Sequence, residues 1–338
     1  MKVLRGGRGG AFQKAPPAAE RQLVKHLVSL DNISAEEVHA LFERVDELLD
    51  ARSSGKTVAP LRGKTLAMIF RKPSTRTRIS FHVGMKELGG DSIILREDEI
   101  QIGRGETIAD TARVLSRYVD GIMIRTFDPA DVEGLAEFGT VPVINGLTDL
   151  EHPCQVLTDL YTIRRRFPAG RRPEWTDCRI AYVGDGNNVA NSWLLAAGKL
   201  GLRFSLATPA AHPANPDIVR RARESASAGG AEIEIGNDPR EAVREAHVIY
   251  TDTWVSMGAE KERAGRLSKF EGFQVNAGLL ALADPEAIVM HCLPAHRGEE
   301  ITDEVMDGPQ SVVFDQAENR LHVQKGILVR LMADESEG

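Results

Sequence analysis

Little in this 338-residue chain points to a disulfide framework, a membrane span or a nucleic-acid surface. It has three cysteines, Cys154, Cys178 and Cys292. An odd number without close metal-type spacing suits a reducing cytoplasm rather than disulfide pairing. No apolar run approaches the ~18 residues that mark a membrane helix. Positive charge is not in excess: 42 Lys and Arg stand against 49 Asp and Glu, for a formal net charge of −7. A chain with that balance has no general attraction for nucleic acid or anionic lipid, so a basic cluster in it marks a local site. Acids and serines are missing from the first nineteen residues, "MKVLRGGRGGAFQKAPPAA". An acid-poor, Arg-containing start resembles a transit peptide, but the missing serine and weak amphipathic pattern favour a flexible basic tail over residues 1–24 and a cytoplasmic protein. Beyond this tail there is no repeat and no low-complexity segment.

What the chain does contain is alternation. Hydrophobic residues at 42% and charged residues at 27% describe an ordinary globular protein, and the length suffices for two α/β domains. Ser34 and Glu37 have capping-box spacing, and Glu36 and Glu37 favour the positive end of a helix dipole. Val38, Leu41, Phe42, Val45 and Leu48 then recur at helical spacing. Apolar strands are expected at 65–70, 92–95, 121–125 and 141–144, with helices near 75–88, 107–118 and 129–138. A further helix follows "HPCQ" and stops at the Pro- and Arg-rich break "RRRFPAGRRPEW". Past the break, strands fit 178–184, 203–209, 248–251, 288–292 and 312–315, with a helix over 188–200 and a last one from about 318 to 332. βα units on both sides of a break predict an α/β protein of two doubly wound parallel-sheet domains, 25–167 and 168–317, joined by long helices.

Ligands of open α/β sheets gather beyond the carboxyl ends of the strands, and the unusual residues lie there. "RKPSTRTRISF", 71–81, puts four cations and four hydroxyls into eleven residues. Ser74, Thr75, Arg76 and Thr77 fall in a first helical turn, whose unpaired N–H groups and dipole favour an anion. A guanidinium fork adds charge-assisted bonds suited to phosphate oxygens. Capping needs one hydroxyl and has no use for Arg76 and Arg78, which favours a phosphate site. Arg125 ends an apolar strand, where a charge is costly unless it meets an anion; a surface pair with Asp128 is the alternative. His152 and Gln155 bracket Pro153 at a helix start, able to serve an oxyanion and an amide, or simply to cap and pack.

"YVGDGNNVANSW" offers Gly184 and Gly186 as the first glycines of a dinucleotide fingerprint, but Val189 stands at the third, and the next strand ends "SLATPAAH" without an acid for a ribose. The paired amides Asn187 and Asn188 suit a small polar ligand instead. Asp252 follows a strand, with Ser256, Met257 and Gly258 in a loop, and can equally be a capping or solvated acid. His291, Cys292 and His296 lack a fourth zinc ligand. Cys292 as a nucleophile activated by His291 conflicts with strand alternation, which points neighbours to opposite faces. Cys178 reads as core.

Taken together, "STRTR", "HPCQ", "DTWVSMG" and "HCLP" closely resemble the ornithine carbamoyltransferases, from about residue 27 to 333. "STRTR" is shared with the aspartate enzymes, whereas "DTWVSMG" and "HCLP" are ornithine-type signatures. The resemblance implies a carbamoyl phosphate domain, an amino-acid domain, a last helix (318–333) packing back on the first domain, and a homotrimer or a multiple of trimers. It implies that Ser74, Thr75, Arg76 and Thr77 hold phosphate and that Arg125, His152, Gln155 and Arg320 grip the phosphate and carbamoyl groups. Gln101 matches a residue that reaches a neighbouring subunit's phosphate. Asn188, Asp252, Ser256 and Met257, helped by Asn187, match the L-ornithine set, and Cys292 and Leu293 lie where carbamoyl amide and amine meet. Arg71 stands where glutamate is usual and Gly326 where alanine is commoner. The implied reaction carbamoylates the ornithine side-chain amine to L-citrulline, in arginine biosynthesis more commonly than in degradation. Its expected catalytic groups are Arg76, His152, Asp252 and Cys292, and no metal, cofactor or covalent intermediate is required. Aspartate would need extra cations, putrescine would leave the α-carboxylate groups unused, and an acylated ornithine has no free α-amine for Asp252. A non-catalytic binding protein of this fold would be expected to have lost some of Arg76, His152, Gln155 or Cys292.

Overall fold

A computed structural model of the chain describes residues 26–100, 105–168, 170, 174–255 and 263–334; the basic tail lies outside them. Helix α1 (Ala35–Ser53) begins with the expected capping box: Glu37 N donates to Ser34 Oγ at 3.2 Å, and Ser34 N to Glu37 Oε2 at 2.9 Å. Its stripe from Val38 to Leu48 is buried. Next come β1 (Thr65–Phe70), β2 (Asp91–Arg96), β3 (Gly121–Arg125) and β4 (Val143–Leu147), linked by α2 (Thr75–Glu87), α3 (Ile108–Leu115) and α4 (Pro129–Phe138). They form one parallel sheet in the order β2-β1-β3-β4. β3 is buried throughout, as a strand covered on both faces is.

Helix α5 (Pro153–Arg166) leads into a second parallel sheet, ordered β7-β6-β5-β8-β9. Its strands are β5 (Arg179–Val183), β6 (Arg203–Ala207), β7 (Glu232–Gly236), β8 (Val248–Thr251) and β9 (Ile288–His291). Helices α6 (Asn188–Leu200), α7 (Pro216–Gly229), α8 (Pro239–Ala242), α9 (Arg263–Leu267), α10 (Ala277–Leu280) and α11 (Asp303–Met306) belong to this half. The last helix, α12 (Val313–Met332), returns to the first half and packs on α1, α2 and α5. At that crossing a Cβ on Gly326 would stand 2.6 Å from Val45 Cγ2, so the missing methyl is what lets α12 come so near α1.

Several expectations differ from the structure: the strand expected at 141–144 runs instead from Val143 to Leu147. Residues 312–315 do not form a strand: Ser311 makes a single bridge to Val289, Val312 N donates to the Val289 carbonyl at 3.0 Å, and α12 starts at Val313. Three consecutive apolar residues are too few to separate strand from helix, and burial along α12 decides it. Conversely, α7 and β7 were not expected. β7, "EIEIG", is a mostly exposed edge strand whose alternating acids break any apolar run.

One apolar core spans both halves. Met68 and Met123 join Tyr182, Trp193 and Tyr250 through Leu160 and Tyr161 of α5 and Leu328 of α12. In each sheet the strand order reverses once, between β1 and β3 and between β5 and β8. Those switch points are where an open α/β sheet leaves a crevice. No helix among the described residues is long and apolar enough to cross a membrane.

Candidate active site

The two crevices face each other in one cavity of about 520 Å³. Apart from Arg78, every sequence candidate among the described residues lines it: Ser74, Thr75, Arg76 and Thr77 after β1, Arg125 at the end of β3, and His152 and Gln155 at the start of α5. From the second half come Asn187 and Asn188 after β5, Asp252 after β8, and Cys292 and Leu293 after β9, with Arg320 reaching in from α12. Gln101, Ser256 and Met257 lie outside the described residues.

At the anion end, Ser74 is extended and its Oγ accepts from Thr77 N at 3.3 Å, so α2 opens on the cavity. Arg76 faces inward and donates to the Leu293 carbonyl across the cleft. Arg78 does not join it. Two residues on, about 200° around the helix, it is exposed and lines a separate groove with Ile79 and Arg96. Arg71 also faces that groove, pairing with Asp131 at 2.5 Å and Glu97 at 3.3 Å. Arg125 is 6% exposed. Asp128, its alternative partner, instead caps α4 by accepting from Ala130 N at 2.9 Å. His152 sits at the N-cap of α5 without a side-chain capping bond. Arg320 donates to Gln155 Oε1 at 2.6 Å and to Thr77 Oγ1 at 3.1 Å.

These cations repel one another in a largely buried place. Burial first, then Arg320 and Arg76, push Arg125 down to about 10. Burial and the three neighbouring guanidiniums hold His152 well below the ordinary imidazole value, so its ring is neutral near pH 7. Three guanidiniums at a helix N-terminus match a multiply charged phosphate.

The opposite wall is acidic. Asp252 Oδ2 accepts from Asn187 Nδ2 at 2.7 Å, and Oδ1 accepts from the Cys292 thiol at 2.9 Å. Asn187 Oδ1 caps α6 through Val189 N at 2.9 Å, which fixes its amide toward Asp252. Asn188 Nδ2 donates to the Thr148 carbonyl at 2.7 Å. Burial and the Asp252 carboxylate push the Cys292 thiol well up, leaving a neutral hydrogen-bond donor rather than a thiolate. His291 points the other way, as alternation requires: Nδ1 accepts from Leu293 N at 2.9 Å and Nε2 meets Glu300 Oε1 at 3.1 Å. Leu293 is held in the left-handed region, φ 60°, with its carbonyl toward Arg76.

The glycine-rich turn has a packing reason. A Cβ on Gly186 would come within 2.3 Å of Pro213 C and Ala214 N.

Some residues of the site were not expected to belong to it. Lys72 is 7% exposed, pairs with Asp149 and lies 4.4 Å from the Phe127 ring centroid; it sat unassigned in the basic stretch. Arg263 lines the cavity from the second half and pairs with Glu299. Asp159 and Gln316 are fully buried behind Gln155. One helical turn separates Asp159 from Gln155, a signal that spacing alone could have supplied.

Family profiles match both halves: the carbamoyl-P binding domain of the aspartate/ornithine carbamoyltransferases over residues 25–165, and their Asp/Orn binding domain over 176–331. The chain is 51% identical to the ornithine carbamoyltransferase of Archaeoglobus fulgidus over 314 residues, 93% of this chain and 99% of that one. It is 53% identical to that of Gloeobacter violaceus over 306 residues, 90% of this chain and 95% of the other. The solved ornithine carbamoyltransferase of Pyrococcus furiosus superposes with a TM-score of 0.87 at 50% identity, covering 91% of this chain and 97% of that one. With its fold, both halves of its length and its full-length relatives in agreement, the chain belongs to the aspartate/ornithine carbamoyltransferase family.

Proposed function

We infer that the chain transfers the carbamoyl group of carbamoyl phosphate to the side-chain amine of L-ornithine, giving L-citrulline and phosphate. The reading rests on one arrangement: Arg76, Arg125 and Arg320 gather at the start of α2, facing the Asp252–Cys292 pair across a single cavity. One end suits a phosphate and the other an amine.

In this reading Ser74, Thr75, Arg76 and Thr77 hold the phosphate, while Arg125, His152, Gln155 and Arg320 grip the phosphate and carbamoyl groups. Asn187, Asn188, Asp252, Ser256 and Met257 hold the amino acid. Asp252 anchors the α-amine, and Cys292 and Leu293 border the point of attack. The ornithine side-chain amine has an ordinary pKa near ~10.4, so presenting it unprotonated at neutral pH costs about 4 kcal/mol. Enclosure beside a neutral thiol lowers that cost by disfavouring the ammonium form. As the amine attacks, charge grows on the tetrahedral oxygen and then on the departing phosphate. Arg76, Arg125 and a neutral His152 are placed to stabilise it. Ornithine fits better than aspartate because Arg263, a cation on the amino-acid wall, is already paired with Glu299.

The same reading takes 25–167 with 318–333 as the carbamoyl phosphate domain and 168–317 as the ornithine domain. It also takes the working enzyme as a cytoplasmic homotrimer, or a multiple of trimers, serving arginine biosynthesis. Gln101 would reach the phosphate site of a neighbouring subunit. The test is citrulline formation from carbamoyl phosphate with ornithine, aspartate, putrescine and N-acetylornithine as competing acceptors. Strong preference for ornithine is expected. Preference for another amine would overturn the acceptor assignment, and no turnover with any would overturn the enzyme.

A further inference from the structure

Gln155 lies against the cavity with both ends of its amide spoken for. Its Oε1 accepts from Arg320 Nη1 at 2.6 Å, and its Nε2 donates to Asp159 Oδ1 at 2.8 Å. Asp159 lies one turn further along α5, fully buried and on the same helix face. The same Oδ1 also accepts from Gln316 Nε2 at 2.7 Å, and Gln316 Oε1 accepts from the backbone N–H of His291 at 2.9 Å.

This chain of bonds has a polarity. A backbone N–H only donates, so His291 N requires the oxygen of the Gln316 amide and turns its NH2 toward Asp159. Burial pushes Asp159 up to about 7, but its Oδ1 already accepts from Gln316 Nε2 and so carries no proton there; in either form that oxygen requires the NH2 of Gln155. The Gln155 oxygen is thereby left on the side of Arg320 and the cavity. A reversed Gln155 amide would set NH2 against the donor-only guanidinium and an oxygen against the carboxylate.

We propose that Asp159 is a positioning residue: by holding the Gln155 NH2, it makes Gln155 present an acceptor to the cavity and so selects a phosphate ligand carrying an adjacent N–H donor. The inference rests on the carbamoyl phosphate reading above and deepens it. Inorganic phosphate has no such group, and the carbamoyl NH2 supplies one.

The experiment compares binding of carbamoyl phosphate and of inorganic phosphate by calorimetry, in the wild type, Asp159→Leu and Asp159→Asn. Asp159→Leu removes the acceptor and is expected to weaken carbamoyl phosphate by about tenfold or more, the scale of an unmet buried hydrogen bond, with phosphate held within about twofold. Asp159→Asn keeps an acceptor oxygen and restores the wild-type preference. Gln316→Leu takes away one of the donors on Asp159, favouring its protonated form, and gives a smaller loss of the same kind, which covers a failure of Asp159→Leu to fold. Equal losses for both ligands, or a loss in Asp159→Asn matching that in Asp159→Leu, would show Asp159 to act through bulk charge or structure and overturn the proposal. A wild type that does not prefer carbamoyl phosphate would instead overturn the functional reading itself.

Discussion

Replacing Arg125 with Met should make the ligand-free protein more stable while destroying its activity. Arg125 is buried, and its group is pushed to about 10 by burial, Arg320 and Arg76, well below the ordinary guanidinium value. The sign follows from linkage. A base whose folded value is depressed costs stability wherever it is charged, in full below pH ~10, and that cost disappears only as pH rises through the unfolded value. At about 1.4 kcal/mol per pK unit, charged Arg125 costs the folded state about 3 kcal/mol at neutral pH, an upper figure because the interior relaxes. Met keeps the apolar volume and discards the charge. Two assays read the effect: thermal unfolding with and without added phosphate, and kcat/KM for carbamoyl phosphate. The ligand-free variant should unfold several degrees higher than wild type, and phosphate should stabilise it much less, since the binding term has been lost. Its kcat/KM should fall by about 10²–10³, the scale for one preorganised donor to a charged transition state. A variant that is less stable without ligand, responds normally to phosphate and turns over within about tenfold of wild type would refute the reasoning.

Cys292→Ser keeps a small hydrogen-bond donor beside Asp252, so activity should drop by only about tenfold, mostly in the KM for ornithine; a loss beyond about 10⁴ would reinstate a covalent role for the thiol. Activity at subsaturating ornithine should rise about tenfold per pH unit from mildly acidic to mildly alkaline conditions, following the free amine. No separate limb from His152 should appear near the ordinary imidazole value, because that ring is neutral throughout the range; a His152-dependent limb there, lost in His152→Gln, would contradict the buried, cation-ringed geometry. Gly186→Ala should lower stability by about 1–3 kcal/mol, read as a lower urea midpoint, because its Cβ would meet backbone atoms at 2.3 Å. An unchanged midpoint would mean that the 213–214 segment moves aside freely.

The local chemistry of this protein was legible in its sequence because it is written in contiguous stretches. A strand followed by hydroxyls and Arg76 is an anion-binding helix start whatever surrounds it, and the capping box of α1 and the span of α6 follow equally from neighbours in the chain. Family signatures added the partner residues, again as short motifs. Tertiary structure decided the rest, since the relevant distances join residues far apart in sequence. Only the strand orders bring the corners after β1, β3, β5 and β8 to two facing switch points. Only the phase of α2 separates Arg76 from Arg78, sending one into the cavity and the other to solvent. The reason for Gly186 lies in backbone 27 and 28 residues further on, and the partners of Asp159 include Gln316 on the returning helix. Residues 312–315, apolar enough for a strand, become the entry to α12: Val313 packs into the second-half core while Phe314 is left exposed, and the helix they start buries its later turns against the first half, which outweighs a single bridge to β9. Propensity acts over a few residues, whereas burial and charge pairing act across the whole fold; where they disagreed, burial prevailed.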